Sequence, residues 1–231
     1  MSIAALIVAA GRGTRMGGAR PKALLRLAGV SMLERAIAPF LSHPGIETVV
    51  AAVADPDEAR AALGPVASRI VMVRGGEERQ DSVRFALQSV GAPEIVLVHD
   101  AARALVPRPL IDAVIETARR FGAAIPAIAV ADTLKRIAAD GSVAATLDRE
   151  DLRLAQTPQG FRTTLLRDAY ARAERDGYRG TDDAGLVEHA GGRVMIVEGS
   201  PLNFKITRPE DLDLAEAMLR AGSKQPGGER G

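Results

Sequence analysis

Apolar residues fall in short, nearly unbroken runs along the first 130 positions: "IAALIVAA" (3–10), "IETVVAAVA" (46–54), "RIVMV" (69–73), "EIVLVHD" (94–100) and "AAIPAIAV" (123–130). Runs this short and this apolar predict strands covered on both faces, and strands of that kind belong to a mostly parallel sheet. Between them the pattern switches to a helical period. In "SMLERAIAPFL" Ser31 and Glu34 have capping-box spacing, and Leu33, Ile37, Phe40 and Leu41 follow on one stripe. "PRPLIDAVIETARRF" sets Leu110, Ile111, Val114, Ile115 and Ala118 on one face, and "VRFALQSV" reads as a helix opened by Asp81-Ser82. The alternation predicts βαβ units.

After residue 131 the pattern breaks. "ADTLKRIAADGSVAATLDREDLRLAQTPQGF" has β-like flanks around Asp140-Gly141, a strong hairpin signal, and is too irregular for another βα unit. It reads as an arm or β-extension projecting from the sheet, whose apolar positions need a partner surface. Helices over about 163–176 and 182–190 follow, then the strands "RVMIVEG" and "NFKIT". A last helix starts near 209, with Thr207 and Glu210 spaced as a capping box and Pro209 in the first turn. The expected fold is α/β: a single domain over 1–220 with a Rossmann-like, mostly parallel sheet flanked by helices and a projecting β-arm. The tail "AGSKQPGGERG" is polar and glycine-rich, so it is expected to be disordered.

Composition removes several classes of function. The chain has no cysteine, which excludes disulfides, thiolate metal sites and cysteine nucleophiles. His43, His99 and His189 are far apart and form no ligand pair at helical spacing. Thirty basic residues against 29 acidic ones, with five phenylalanines and two tyrosines, leave no basic face interleaved with stacking rings, so no nucleic-acid partner is expected. The longest apolar stretches fall short of the roughly 18 residues a membrane span needs. Residues 1–10 carry no basic segment ahead of their apolar run, and a cytoplasmic protein is expected.

The first predicted strand empties into "AAGRGTRMGGARPK" (9–22). A dinucleotide fingerprint starting at Gly11 fits Gly13 but then needs glycine where Met16 stands. A kinase-type phosphate loop fails too, because no Gly-Lys-Ser/Thr closes it. Lys22 follows Pro21 instead, and Pro21 holds Arg20 extended. An extended glycine loop at the carboxyl end of a strand suits a nucleoside triphosphate lying across the sheet edge. Ala9, Ala10, Gly11 and Gly13 leave room for a base or ribose, and Arg15 and Lys22 offer two cations to a polyphosphate.

This loop resembles the signature of nucleotidyltransferases that join a nucleoside triphosphate to a phosphorylated sugar or alditol. Seven further motifs follow in order: "RGGEERQDSV", "LVHDAAR", "ADTLKR", "LDR", "QTPQGF", "TDDAGLVE" and "NFKITRPEDL". With them the chain resembles the 2-C-methyl-D-erythritol 4-phosphate cytidylyltransferase family of the non-mevalonate isoprenoid pathway, over about residues 3–219. The resemblance implies attack by the acceptor's phosphate on the α-phosphorus of CTP, with release of pyrophosphate. It places Arg15 and Lys22 at the transition state and Asp100 at a magnesium–triphosphate site. Gly76, Ser82 and Ala101 take cytosine and ribose, with Glu77 where the family often has aspartate. Arg149 and Lys205 hold the acceptor, joined by Arg103, Thr133, Thr157 and Thr181. The family forms homodimers through the arm, which here covers about 128–152, so Thr133 would complete the neighbouring subunit's site. Two rival readings stand beside this one: a ribitol 5-phosphate cytidylyltransferase, and a non-catalytic nucleotide-binding regulatory module. The second is disfavoured because both loop cations are present.

Overall fold

The computed structural model describes residues 2–11 and 21–222. From the amino end the elements are β1 (Ile3–Ala9), a 3-10 turn at Lys22–Leu24, β2 (Arg26–Leu27), β3 (Val30–Ser31) and α1 (Met32–Leu41). Next come β4 (Ile46–Val53), α2 (Pro56–Leu63), β5 (Val71–Arg74), α3 (Arg79–Gln88), β6 (Ile95–Asp100), α4 (Arg108–Phe121) and β7 (Ala123–Ala129). The chain continues through β8 (Leu134–Ile137), β9 (Val143–Leu147), β10 (Arg153–Ala155) and β11 (Gln159–Arg162). It closes with α5 (Thr163–Asp176), α6 (Asp183–His189), β12 (Met195–Glu198) and α7 (Pro209–Gly222).

The main sheet runs β10-β7-β11-β6-β1-β4-β5, with β12 also on β7. β1, β4, β5 and β6 are mutually parallel and β12 is parallel to β7. β11 slots in antiparallel between β6 and β7, and β10 pairs antiparallel with β7. The period of two in β1 sorts its side chains cleanly. Ile3, Ala5 and Ile7 pack with α1, α2 and α4 on one face, while Ala4 and Leu6 pack with α3, α5 and α6 on the other. A smaller cluster of Leu27, Met32, Ala104, Ile206 and Ala215 seats α7.

Ser31 caps α1 as its spacing predicts, its hydroxyl accepting the Glu34 amide at 3.2 Å. The arm forms a separate two-stranded sheet, β8 with β9, and Gly141 takes φ +84° in its turn, where a side chain would be strained. Ile137 and Val143 on that hairpin are 58% and 59% exposed. No helix among the described residues is long and apolar enough to cross a membrane.

Four local expectations need correction. The predicted strand "NFKIT" is an irregular extended segment, because Asn203 and Ile206 bond to loops rather than to a neighbouring strand. The cap of α7 comes from Asp211, not Glu210: Asp211 Oδ2 accepts the Thr207 and Arg208 amides at 2.6 and 2.9 Å. Helix α3 begins at Arg79, so Ser82 lies within its first turns instead of opening it. Residues 153–162 leave the arm and rejoin the main sheet as β10 and β11. Most of the tail expected to be disordered, 223–231, lies outside the described residues.

Candidate active site

From β1 the chain builds outward to β4 and β5, then returns to lay β6 on the other side of β1. The connections therefore diverge between β1 and β6, and the crevice at their carboxyl ends is where open α/β sheets take ligands. A cavity of about 230 Å³ opens there. Ala9, Ala10 and Gly11 form the β1 side, Asp100 and Ala101 the β6 side, and Gly76, Glu77, Arg79 and Ser82 the entry to α3. Lys22 and Lys205 complete the wall.

The glycines after β5 make this approach possible. A Cβ on Gly75 would sit 2.2 Å from the Ala10 Cβ, and one on Gly76 would sit 2.3 Å from the Asp81 Cβ. Ser82 locks the turn: its hydroxyl donates to the Glu78 carbonyl and accepts the Gly76 amide, each at 3.1 Å.

Asp100 is the electrostatic centre. Its Oδ1 accepts from Arg79 Nε at 3.0 Å and its Oδ2 from Lys205 Nζ at 2.7 Å. Burial pushes its carboxyl pKa up, but the Arg79 and Lys205 cations outweigh burial and hold it well below the usual carboxylate range. Arg79 is protected in turn: burial disfavours its charge, and the Asp183 and Asp100 carboxylates more than offset that.

Beneath the floor a directed chain of hydrogen bonds fixes the Asp100 backbone. The Arg103 carbonyl can only accept, so His99 Nε2, 3.1 Å away, carries the proton. His99 Nδ1 therefore accepts from the Thr157 hydroxyl at 3.0 Å, and the Thr157 oxygen accepts the Asp100 amide at 3.0 Å. Burial lowers the His99 pKa to about 4, so the ring is neutral at pH 7. The ring lies 5.0 Å from that of Phe40, centroid to centroid, tilted by 47°.

The irregular segment bearing Lys205 is tied down by buried amides. Asn203 Nδ2 donates to the Thr157 carbonyl at 2.8 Å, Gln156 Oε1 accepts the Ser200 amide at 3.1 Å, and the Ile206 amide reaches the Ala102 carbonyl at 2.8 Å.

Ten of the residues singled out from the sequence thus share one cavity: Ala9, Ala10, Gly11, Lys22, Gly76, Glu77, Ser82, Asp100, Ala101 and Lys205. Gly13 and Arg15 lie outside the described residues. The other candidates sit elsewhere. Thr157 is under the floor, and Arg103 spends its guanidinium on the Asn203 and Ala155 carbonyls, at 2.7 and 3.2 Å. Thr181 is exposed one residue before Asp182, which caps α6 by accepting the Gly185 amide. Thr133 and Arg149 are at the base of the arm, where Arg149 donates to the Ala131 carbonyl. Sequence reasoning missed Arg79, Asp183 and Gln159. Arg79 stands inside the quoted "RGGEERQDSV" motif, but only the true start of α3 turns it toward Asp100.

Among the described residues no three His, Asp or Glu side chains are grouped to hold a metal ion. The cavity's carboxylates are Glu77, Glu78 and Asp100, oxygen donors of the type a hard cation takes, and both Asp100 oxygens are held by Arg79 and Lys205.

The family model for 2-C-methyl-D-erythritol 4-phosphate cytidylyltransferase matches residues 3–221. A protein of that name from Syntrophotalea carbinolica is 47% identical over 226 residues, covering 95% of this chain and 97% of the relative. A bifunctional enzyme IspD/IspF from Rhodopseudomonas palustris is 46% identical over 223 residues, covering 94% of this chain and 55% of its own length. The crystal structure of the cytidylyltransferase from Thermus thermophilus superposes with a TM-score of 0.81 at 42% identity, covering 95% of this chain and all of that one. With that agreement in sequence and in fold, the chain belongs to the 2-C-methyl-D-erythritol 4-phosphate cytidylyltransferase family.

Proposed function

We propose that this protein transfers the cytidylyl group of CTP to 2-C-methyl-D-erythritol 4-phosphate, releasing pyrophosphate, in isoprenoid precursor biosynthesis in the cytoplasm. The observation that carries the reading is the cavity at the β1–β6 crevice, walled on one side by small residues and flanked by Lys22 and Lys205. The small wall accepts a flat base and ribose; the cations meet phosphate.

The chemistry asks little proton transfer of the protein. A phosphate monoester has its second pKa near about 6, so the acceptor arrives largely as a dianion. Its oxygen forms a bond to the α-phosphorus as the bond to the bridging oxygen of the β-phosphate breaks, and the electron pair leaves with pyrophosphate. No general base is required, and the neighbouring histidine, His99, is buried, neutral and committed at both ring nitrogens. Fixed positive charge is what lowers the barrier. Lys22, with Arg15 from the same loop, neutralises the triphosphate in the transition state. Lys205 and Arg149 bind the acceptor phosphate, the first as a point charge and the second as a two-pronged donor. Thr133 and Thr181 support the acceptor's polyol and phosphate, whereas Thr157 and Arg103 serve the site from behind, through the Asp100 amide and through the Asn203 and Ala155 carbonyls. Asp100 would hold Mg²⁺, which when bound supplies charge neutralisation on the phosphates.

The exposed Ile137 and Val143 support a homodimer through the arm, which would bring Thr133 and Arg149 to a neighbouring subunit's cavity. Pyrophosphate release is the test, with Mg²⁺, CTP and either methylerythritol 4-phosphate or ribitol 5-phosphate. The larger kcat/KM is expected for methylerythritol 4-phosphate, and Lys22→Ala should lower kcat about 10²- to 10³-fold while leaving the melting temperature nearly unchanged. A larger kcat/KM for ribitol 5-phosphate would overturn the acceptor; silence with both would overturn the reaction.

A further inference from the structure

Asp100 is gripped by two cations that are anchored in different ways. Lys205 Nζ pairs, among the described residues, with Asp100 alone, and its side chain is 42% exposed on the cavity wall. Arg79 has a second holder. Its Nη2 lies 2.8 Å from Asp183 Oδ2, at ion-pair distance though out of hydrogen-bond alignment. Asp183 is fully buried and built in, its Oδ1 taking the Tyr170 hydroxyl at 2.6 Å and its amide donating to Gln159 Oε1 at 3.1 Å.

The two cations should therefore respond differently to an anion entering the cavity. An ammonium on a flexible stem with one partner is free to trade that partner for a phosphate. A guanidinium clamped between two carboxylates is not, because moving it would strand two charges at once. The direct ion pairs are also matched in number, Arg79 and Lys205 against Asp100 and Asp183, with Arg103 acting on Asp100 through space. Once Lys205 leaves, Arg79 is the side chain that still bridges the two neighbouring, nearly buried carboxylates.

We propose that Arg79 is a positioning residue of the cytidylyl transfer site: pinned by Asp183, it holds Asp100 in place while Lys205 exchanges Asp100 for a substrate phosphate. The proposal rests on the cytidylyltransferase reading above. It makes Asp100 the route by which Arg79 acts, and a double-mutant cycle reads that route directly.

The test measures kcat/KM for CTP by pyrophosphate release, and melting temperature, for wild type, Arg79→Met, Asp100→Asn and the double variant. Arg79→Met is expected to cost about 10- to 100-fold in kcat/KM in the wild-type background, the size typical of groups that orient a ligand from behind. In the Asp100→Asn background it should cost less than about twofold. Adding Asp183→Asn to Arg79→Met restores charge balance, so it should recover the melting temperature but not kcat/KM. Arg79→Lys should recover part of kcat/KM.

Equal factors in both backgrounds would overturn the role, as would an Arg79→Met/Asp183→Asn protein that regains kcat/KM along with stability, since Arg79 would then merely neutralise the interior. If Arg79→Met does not fold, Arg79→Lys with and without Asp100→Asn completes the same cycle. A wild-type enzyme silent with CTP would overturn the underlying reading; an active wild type with additive variants overturns the role of Arg79 alone.

Discussion

Thr157 is the side chain whose removal should say most about how Asp100 is held. Thr157→Val keeps the branched shape and removes the hydroxyl, which serves two buried partners: the Asp100 amide and His99 Nδ1, each at 3.0 Å. Valine cannot replace either bond, in a place that is only 5% exposed. An orphaned buried donor or acceptor costs about 1–3 kcal/mol, so a loss of about 3 kcal/mol is a conservative sum for the pair. For a chain of this size that corresponds to a melting temperature lower by about 6–12 °C. Thr157→Ser keeps the hydroxyl and deletes one methyl, so it should lose only about 1 kcal/mol. Urea denaturation followed by circular dichroism gives both values, with an unchanged slope showing that the denatured state is not the cause. The kinetic effect should fall on CTP, because the displaced amide belongs to Asp100. Wild-type stability in Thr157→Val combined with a raised KM for the acceptor would refute the reasoning, and would mean that the hydroxyl faces substrate and not the floor.

Two further outcomes follow from the same geometry. The His99 pKa in the folded protein, about 4, is below the ordinary histidine value of about 6.5, so the unfolded chain binds the extra proton between those values. Stability is complete above pH 6.5 and is lost as pH falls toward 4; between pH 7 and pH 5 the loss should be roughly 2 kcal/mol, and His99→Asn should remove that slope in urea titrations. Equal slopes in the two proteins would rule His99 out as the source. The arm gives the second outcome: wild type should sediment as a dimer at micromolar concentration, whereas Ile137→Asp/Val143→Asp should raise the dissociation constant at least about 100-fold. A wild-type monomer would remove the arm's part in the site.

The layered fold was legible because its causes are local. Apolar runs with a period of two and stripes with a period of 3.6 report which faces are buried, and β1 sorts odd from even residues just as such a pattern requires. Ser31 and the Asp140-Gly141 turn were legible for a similar reason, since each bonds within a few residues of itself. What escaped is set by partners distant in sequence. β11 is four residues long and carries no pattern of its own; it is a strand because β6 and β7 leave a slot between them. "NFKIT" has the composition of a strand, yet Asn203 and Ile206 are taken by the loops before β11 and after β6. The Arg79–Asp183 pair joins two helix starts that only the folded sheet brings together, and no spacing rule reaches across such a gap.

The same contrast shows in how the site is assembled. Asp100 has three attachments of different kinds: its amide to a neutral hydrogen-bond chain, one oxygen to a cation fixed in the interior, and the other to a cation at the surface of the cavity. The first two come from the entry to strand β11 and from helix α3, which the core holds rigid, and the third from an irregular segment. A triphosphate and a phosphate cannot be brought together on a fully fixed set of charges, because cations that already neutralise protein carboxylates are not available to substrate. Nor can they be brought together on a fully mobile set, because the carboxylate would move with them. Dividing the labour resolves the conflict: Arg79 compensates Asp100 permanently, and Lys205 is thereby free to leave it. Variants of the fixed holders should therefore degrade the geometry of the nucleotide, whereas variants of Lys205 should degrade capture of the incoming anion.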